Sequence, residues 1–98
     1  MDQPILETGR IHIFVTGRVQ GVGFRAFVQH SAEELGLTGW VRNVGLSQVE
    51  TLAEGHPQGL KHFLELVLTG PRGARVHESN FNWEKPHGDF PYFEIRYK

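Results

Sequence analysis

Between residues 17 and 23 the chain reads Gly-Arg-Val-Gln-Gly-Val-Gly, and no other stretch limits its possible folds so strongly. The segment before it alternates. Ile11, Ile13 and Val15 interleave with His12, Phe14 and Thr16, which is the period of a strand with one face on a core. The segment after it follows the helical period through Phe27, Val28, Ser31, Ala32 and Leu35, with Gly36 as a left-handed stop. Three glycines between these two patterns can take positive φ and leave backbone amides uncovered. The expected unit is a strand, a tight loop and a helix that opens directly from the loop.

The rest of the chain supplies what such a unit needs to bury its apolar face. Trp40 and Val41 precede Asn43, and Val49 and Leu52 follow a break containing Gly45 and Ser47, which predicts two strands joined as a hairpin. Pro57 suits a first helical turn; Leu60, Phe63, Leu64 and Val67 form an i, i+3, i+4, i+7 stripe; Gly70-Pro71 ends the element. Phe27, Val28 and that stripe are expected in the core. Val76, Ser79, Phe81 and Trp83 predict a further strand whose phase shifts, with a bulge expected near His77 and Glu78. Phe93, Ile95 and Tyr97 then alternate in a short final strand. The order is βαββαβ plus that strand. It predicts an α+β domain with two helices packed on one face of a mostly antiparallel sheet. A chain of 98 residues holds one two-layer core and not two. Residues 10–98 are expected to form the single domain, and residues 1–9, with Pro4 and little pattern, a flexible lead.

Charge and composition exclude several classes. Formal net charge is −1, so no global positive field draws the protein to nucleic acid or an anionic membrane, and any anion must be held locally. The absence of cysteine removes disulfides and thiolate metal sites and fits a reducing compartment, so a cytoplasmic location is expected. The sequence shows no secretory leader and no apolar run near the ~18 residues needed to span a bilayer. His12, His30, His56, His62, His77 and His87 are scattered without a paired ligand motif, so neither a metal site nor a cofactor is expected. Arg72, Arg75 and His77 make only a mild basic stretch, expected to be solvated surface.

A glycine-rich loop that runs from a strand into a helix gathers N–H groups and the positive helix terminus around one point, which suits a phosphate-sized anion. Here that point lies at Gln20, Gly21, Val22, Gly23 and Phe24. Arg25 in the first helical turn adds a permanently charged guanidinium fork. Spacing alone leaves two readings open: an anion seat, or a loop of demanding geometry followed by a solvated arginine. Asn43 at a strand end is equally open, since asparagine is common in turns.

The string Val19-Gln20-Gly21-Val22-Gly23-Phe24-Arg25 closely resembles the signature of the acylphosphatase family, and Leu35-Gly36-Leu37-Thr38-Gly39-Trp40-Val41-Arg42-Asn43 resembles that family's second signature. Val49-Glu50, Gly70-Pro71, Ala74-x-Val76 and Phe93-x-Ile95-Arg96-Tyr97 continue the likeness in order, over roughly residues 10 to 97. The resemblance implies a ferredoxin-like α/β sandwich. It also implies an acylphosphatase, which hydrolyses the carboxyl-phosphate bond of acyl phosphates to carboxylate and inorganic phosphate by in-line water attack, without metal or cofactor. Carried over by position, Arg25 and Asn43 are the catalytic pair. Gln20, Gly21, Val22, Gly23, Phe24 and Arg25 bind phosphate, and Asn43 orients water. One departure stands beside the implied site. After Asn43 the family usually has Asp-Gly or Lys-Gly, whereas this chain reads Val44-Gly45-Leu46-Ser47-Gln48, so a rebuilt turn is expected with Asn43 in place. Ser79, where an apolar residue is common, bears only on local packing.

The chemistry is consistent with these roles. Phosphoryl transfer depends mainly on positioning and on stabilising charge at the equatorial oxygens, and a carboxylate leaves without a strong general acid. The expected partners are an acyl phosphate or inorganic phosphate, with no nucleic acid and no membrane, and the chain is expected to act as a monomer. Two alternatives carry less support. A non-catalytic accessory module binding phosphate or carbamoyl phosphate is disfavoured by the short chain. An RNA-binding sheet would need an aromatic strand motif and a basic surface.

Overall fold

The computed structural model describes residues 8–97. The lead expected over residues 1–9 lies largely outside the described residues, and Gly9 already belongs to the first strand. The elements are β1 (Gly9–Arg18), α1 (Phe24–Glu34), β2 (Thr38–Val44), β3 (Gln48–Gly55), α2 (Pro57–Thr69), β4 (Arg75–Glu84) and β5 (Phe93–Arg96). The strands form one sheet in the order β4-β1-β3-β2-β5. The first four pair antiparallel and β5 runs parallel to β2, so the expected mostly antiparallel α+β sandwich is the fold observed.

The strand period sorts side chains between the two faces. Ile11, Ile13 and Val15 of β1, Val41 of β2 and Val49 of β3 are buried beneath Val28 and Ala32 of α1 and Leu60, Phe63 and Val67 of α2. Phe27 and Leu64, expected in the core, are only partly buried and pack against it from its margin. Phe27 meets Phe24 edge to face, with ring centroids 6.2 Å apart.

The opposite face of the sheet carries charge, and two buried carboxylates there are fully engaged. Glu50 faces the Arg42 guanidinium, with Oε1 accepting from Nε at 2.8 Å, while its Oε2 lies 2.6 Å from His12 Nε2. Buried charge needs such partners, and these three residues tie β1, β3 and β2 together. Anchoring Arg42 on that face leaves Asn43, one residue on, pointing to the helix face. Glu54 accepts from the backbone N–H groups of His87 (2.7 Å) and Gly88 (2.9 Å). Those bonds hold residues 85–92 as they lead from β4 at one edge of the sheet to β5 at the other.

The expected irregularity in β4 is a bulge. Thr16 pairs with Glu78 and Gly17 with Val76, so His77 is the extra residue. Gly17 makes it possible: with φ of 143°, a Cβ at this position would lie 2.2 Å from the Arg75 carbonyl oxygen. Ser79, Arg75 and His77 are exposed on this edge strand, and Arg72 is exposed in the turn before it. Among the described residues no helix is long and apolar enough to cross a membrane.

Candidate active site

The loop between β1 and α1 is shaped by Gly21 and Gly23, whose φ angles of 75° and 74° lie in the left-handed region. A Cβ at either position would meet nothing within 4 Å, so these glycines supply conformation and keep an approach open rather than relieve crowding. Gly23 is the N-cap of α1 and offers no side-chain cap, and the first turn of the helix holds no acidic residue. The first N–H groups of a helix have no partner within it. Here they point out of an uncapped terminus that also carries Arg25. Among the described residues the Arg25 guanidinium forms no ion pair and no side-chain hydrogen bond; it rests over the Tyr97 ring, 4.8 Å from the centroid.

A cleft of about 230 Å³ opens at this point. Its walls include Gln20, Gly21, Gly23, Phe24 and Arg25 from the loop and helix start, together with Asn43 from β2. Two segments separated in sequence thus line one cleft. Val22, expected among the phosphate-binding residues, is not part of the wall; its side chain turns to the core and packs there. Val19, Ala26, Ile95 and Tyr97 complete the cleft. None of these four was singled out for the site from the sequence. The alternation of Phe93, Ile95 and Tyr97 marks a strand, but only its parallel pairing with β2 brings its end to Arg25.

The unusual segment after Asn43 forms a tight three-residue turn. Asn43 pairs with Val49 and Val44 with Gln48, leaving Gly45, Leu46 and Ser47 at the tip, with Gly45 at φ 59° and Leu46 95% exposed. The turn is fastened to the end of β1 and the start of the loop. Gly17 N donates to Ser47 O at 2.9 Å, and Gln20 Nε2 donates to the Gly45 and Gln48 carbonyl oxygens at 3.1 and 3.0 Å.

The scattered histidines hold other positions: His12 engages Glu50, and His56 caps α2 through its ring nitrogen.

Comparison with known proteins gives the same outline. The acylphosphatase family model matches residues 11–95. The chain is 40% identical over 91 residues to an acylphosphatase of Roseiflexus sp. (strain RS-1), covering 93% of this chain and 98% of that one. It is 43% identical over 94 residues to an acylphosphatase of Salinibacter ruber, covering 93% and 99%. The crystal structure of acylphosphatase from Bacillus subtilis superposes with a TM-score of 0.86 at 39% identity, over 91% of this chain and 99% of that chain. With nearly its whole length matched by sequence and by structure, the chain belongs to the acylphosphatase family.

Proposed function

We propose that this protein is an acylphosphatase that hydrolyses the carboxyl-phosphate anhydride of small acyl phosphates, with Arg25 and Asn43 as its catalytic residues. The observation that carries this is the convergence of Arg25, Asn43 and the Gln20–Phe24 loop on one cleft at an uncapped helix N-terminus. In this mechanism the phosphoryl oxygens take N–H groups of residues 20–24 and the Arg25 fork, which neutralise charge as it spreads over the equatorial oxygens. The Asn43 amide oxygen accepts a hydrogen bond from water and aims it at phosphorus opposite the leaving carboxylate. The P–O bond to water forms as the bond to the acyl oxygen breaks, and the carboxylate departs with that electron pair. Asn43 cannot take a proton at neutral pH, so the water's proton passes to a phosphate oxygen. Recognition through the phosphoryl group tolerates many acyl groups. A cytoplasmic, monomeric protein acting on a small-molecule acyl phosphate completes the proposal. The Roseiflexus and Salinibacter acylphosphatases are matched over 98% and 99% of their own lengths, which does not favour the accessory-module alternative.

The test is release of inorganic phosphate from acetyl phosphate by purified protein in excess chelator. Asn43→Ala is expected to lower kcat by about a hundred- to a thousandfold while inorganic phosphate still inhibits. Unchanged kcat in that variant would refute the role given to Asn43.

A further inference from the structure

The Gln20 side chain does something the loop's anion-binding amides do not require. Its Nε2 lies 3.1 Å from Gly45 O, 3.0 Å from Gln48 O and 3.5 Å from Val44 O. Three carbonyl oxygens around one atom require that atom to be the amide nitrogen, a donor with two hydrogens. The shorter contacts to Gly45 and Gln48 are its two full hydrogen bonds, and the one to Val44 is marginal. All three acceptors follow Asn43 directly, in the turn that departs from the family pattern and at the strand start beyond it. One side chain therefore bridges the two walls of the cleft: its backbone belongs to the phosphate loop, and its carboxamide holds the strand end that carries Asn43.

Neighbouring contacts favour a clamp over incidental packing. The Ser47 carbonyl accepts from Gly17 N, and Gln48 Nε2 donates to Thr16 Oγ1 at 3.2 Å, so the hairpin is also tied to the end of β1. Those two bonds tie the turn to β1 at Ser47 and at the strand start beyond it. Among the described residues only Gln20 reaches the turn from the loop itself. The tip bears an exposed leucine and a glycine at positive φ, and gains nothing there from core burial to hold its aim.

We propose that Gln20 is a positioning residue, whose carboxamide sets the spacing between the phosphate cradle and the water-orienting Asn43. This rests on the Asn43 role proposed above. It predicts that losing the clamp damages alignment for attack, and so kcat, far more than it damages phosphate binding.

The experiment is a double-mutant cycle on the full chain, with kcat and KM for acetyl phosphate, the inhibition constant of inorganic phosphate, and thermal melting of each variant. Gln20→Ala is expected to lower kcat about ten- to a hundredfold, since misplacement by about 1 Å is worth that much. The phosphate inhibition constant should move by no more than about twofold, and melting should stay cooperative. Gln20→Glu keeps the length and removes the donors, and should lose at least as much. In an Asn43→Ala background, Gln20→Ala should lower kcat by less than about twofold more, because the group it aims is gone. Gln20→Ala with near wild-type kcat would overturn the clamp, as would weakened phosphate binding with kcat intact, or a full further loss in the Asn43→Ala background. Full rate in Asn43→Ala alone would instead overturn the Asn43 role, so the two failures are told apart.

Discussion

The two helices begin in opposite ways. At α2 the terminus is finished by the chain itself. Pro57 occupies the first turn, where a missing N–H is no loss, and His56 Nδ1 accepts from Gln58 N at 3.2 Å. At α1 nothing of the kind is present: Gly23 sits at φ 74° with no side-chain cap, no acidic residue follows, and Arg25 stands in the first turn. A positive group at the positive end of a helix is unfavourable for the isolated helix. The two termini pack on the same sheet in one small core, so that core does not explain the difference. A capped terminus serves the fold. An open terminus with an added cation suits the anion seat proposed for it.

Substitutions can break this contrast from either side. The largest effect is expected at Arg25. Among the described residues Arg25 is the one side-chain cation lining the cleft at the open terminus, and in Arg25→Ala kcat/KM for acetyl phosphate should fall by about a thousandfold or more with the melting temperature little changed. Gly23→Ala puts a Cβ on a left-handed residue at the cradle. It should lower stability by about 1–2 kcal/mol in urea unfolding and kcat/KM by about ten- to a hundredfold, as the loop amides shift. The smallest effect belongs to the capped terminus. His56→Ala should lower stability by about 0.5–1 kcal/mol, read by the same unfolding, and leave kcat and KM within error. If His56→Ala harmed catalysis as much as Gly23→Ala, the division between a structural and a functional helix start would fail.

Much of this was legible in the sequence because it is written in local periods. Alternation at Ile11, Ile13 and Val15, the stripe from Leu60 to Val67 and the phase shift at His77 each correspond to an element or irregularity in the structure. The residues expected at the site, Val22 apart, line one cleft because β2 and α1 adjoin in the fold. What local pattern could not show was the placement of β5. That depends on buried Glu54 collecting the amides of His87 and Gly88 more than thirty residues away, and it is β5 that brings Tyr97 beneath Arg25. Gln20 was legible only as a loop amide; the partners of its side chain exist only once the hairpin has folded against the loop. Phe27 and Leu64 show the limit of a helical stripe, which gives the buried direction but not how far the sheet extends beneath it.

The central claim is that the open terminus of α1 is an anion seat and the closed terminus of α2 is not. A titration of the ¹⁵N-labelled protein with inorganic phosphate, followed amide by amide, tests this most directly. Saturable shifts should concentrate at residues 20–26 and at the Asn43 side-chain amide, vanish in Arg25→Ala, and leave residues 58–60 still. Equal movement at both helix starts, or an undiminished response in Arg25→Ala, would contradict it.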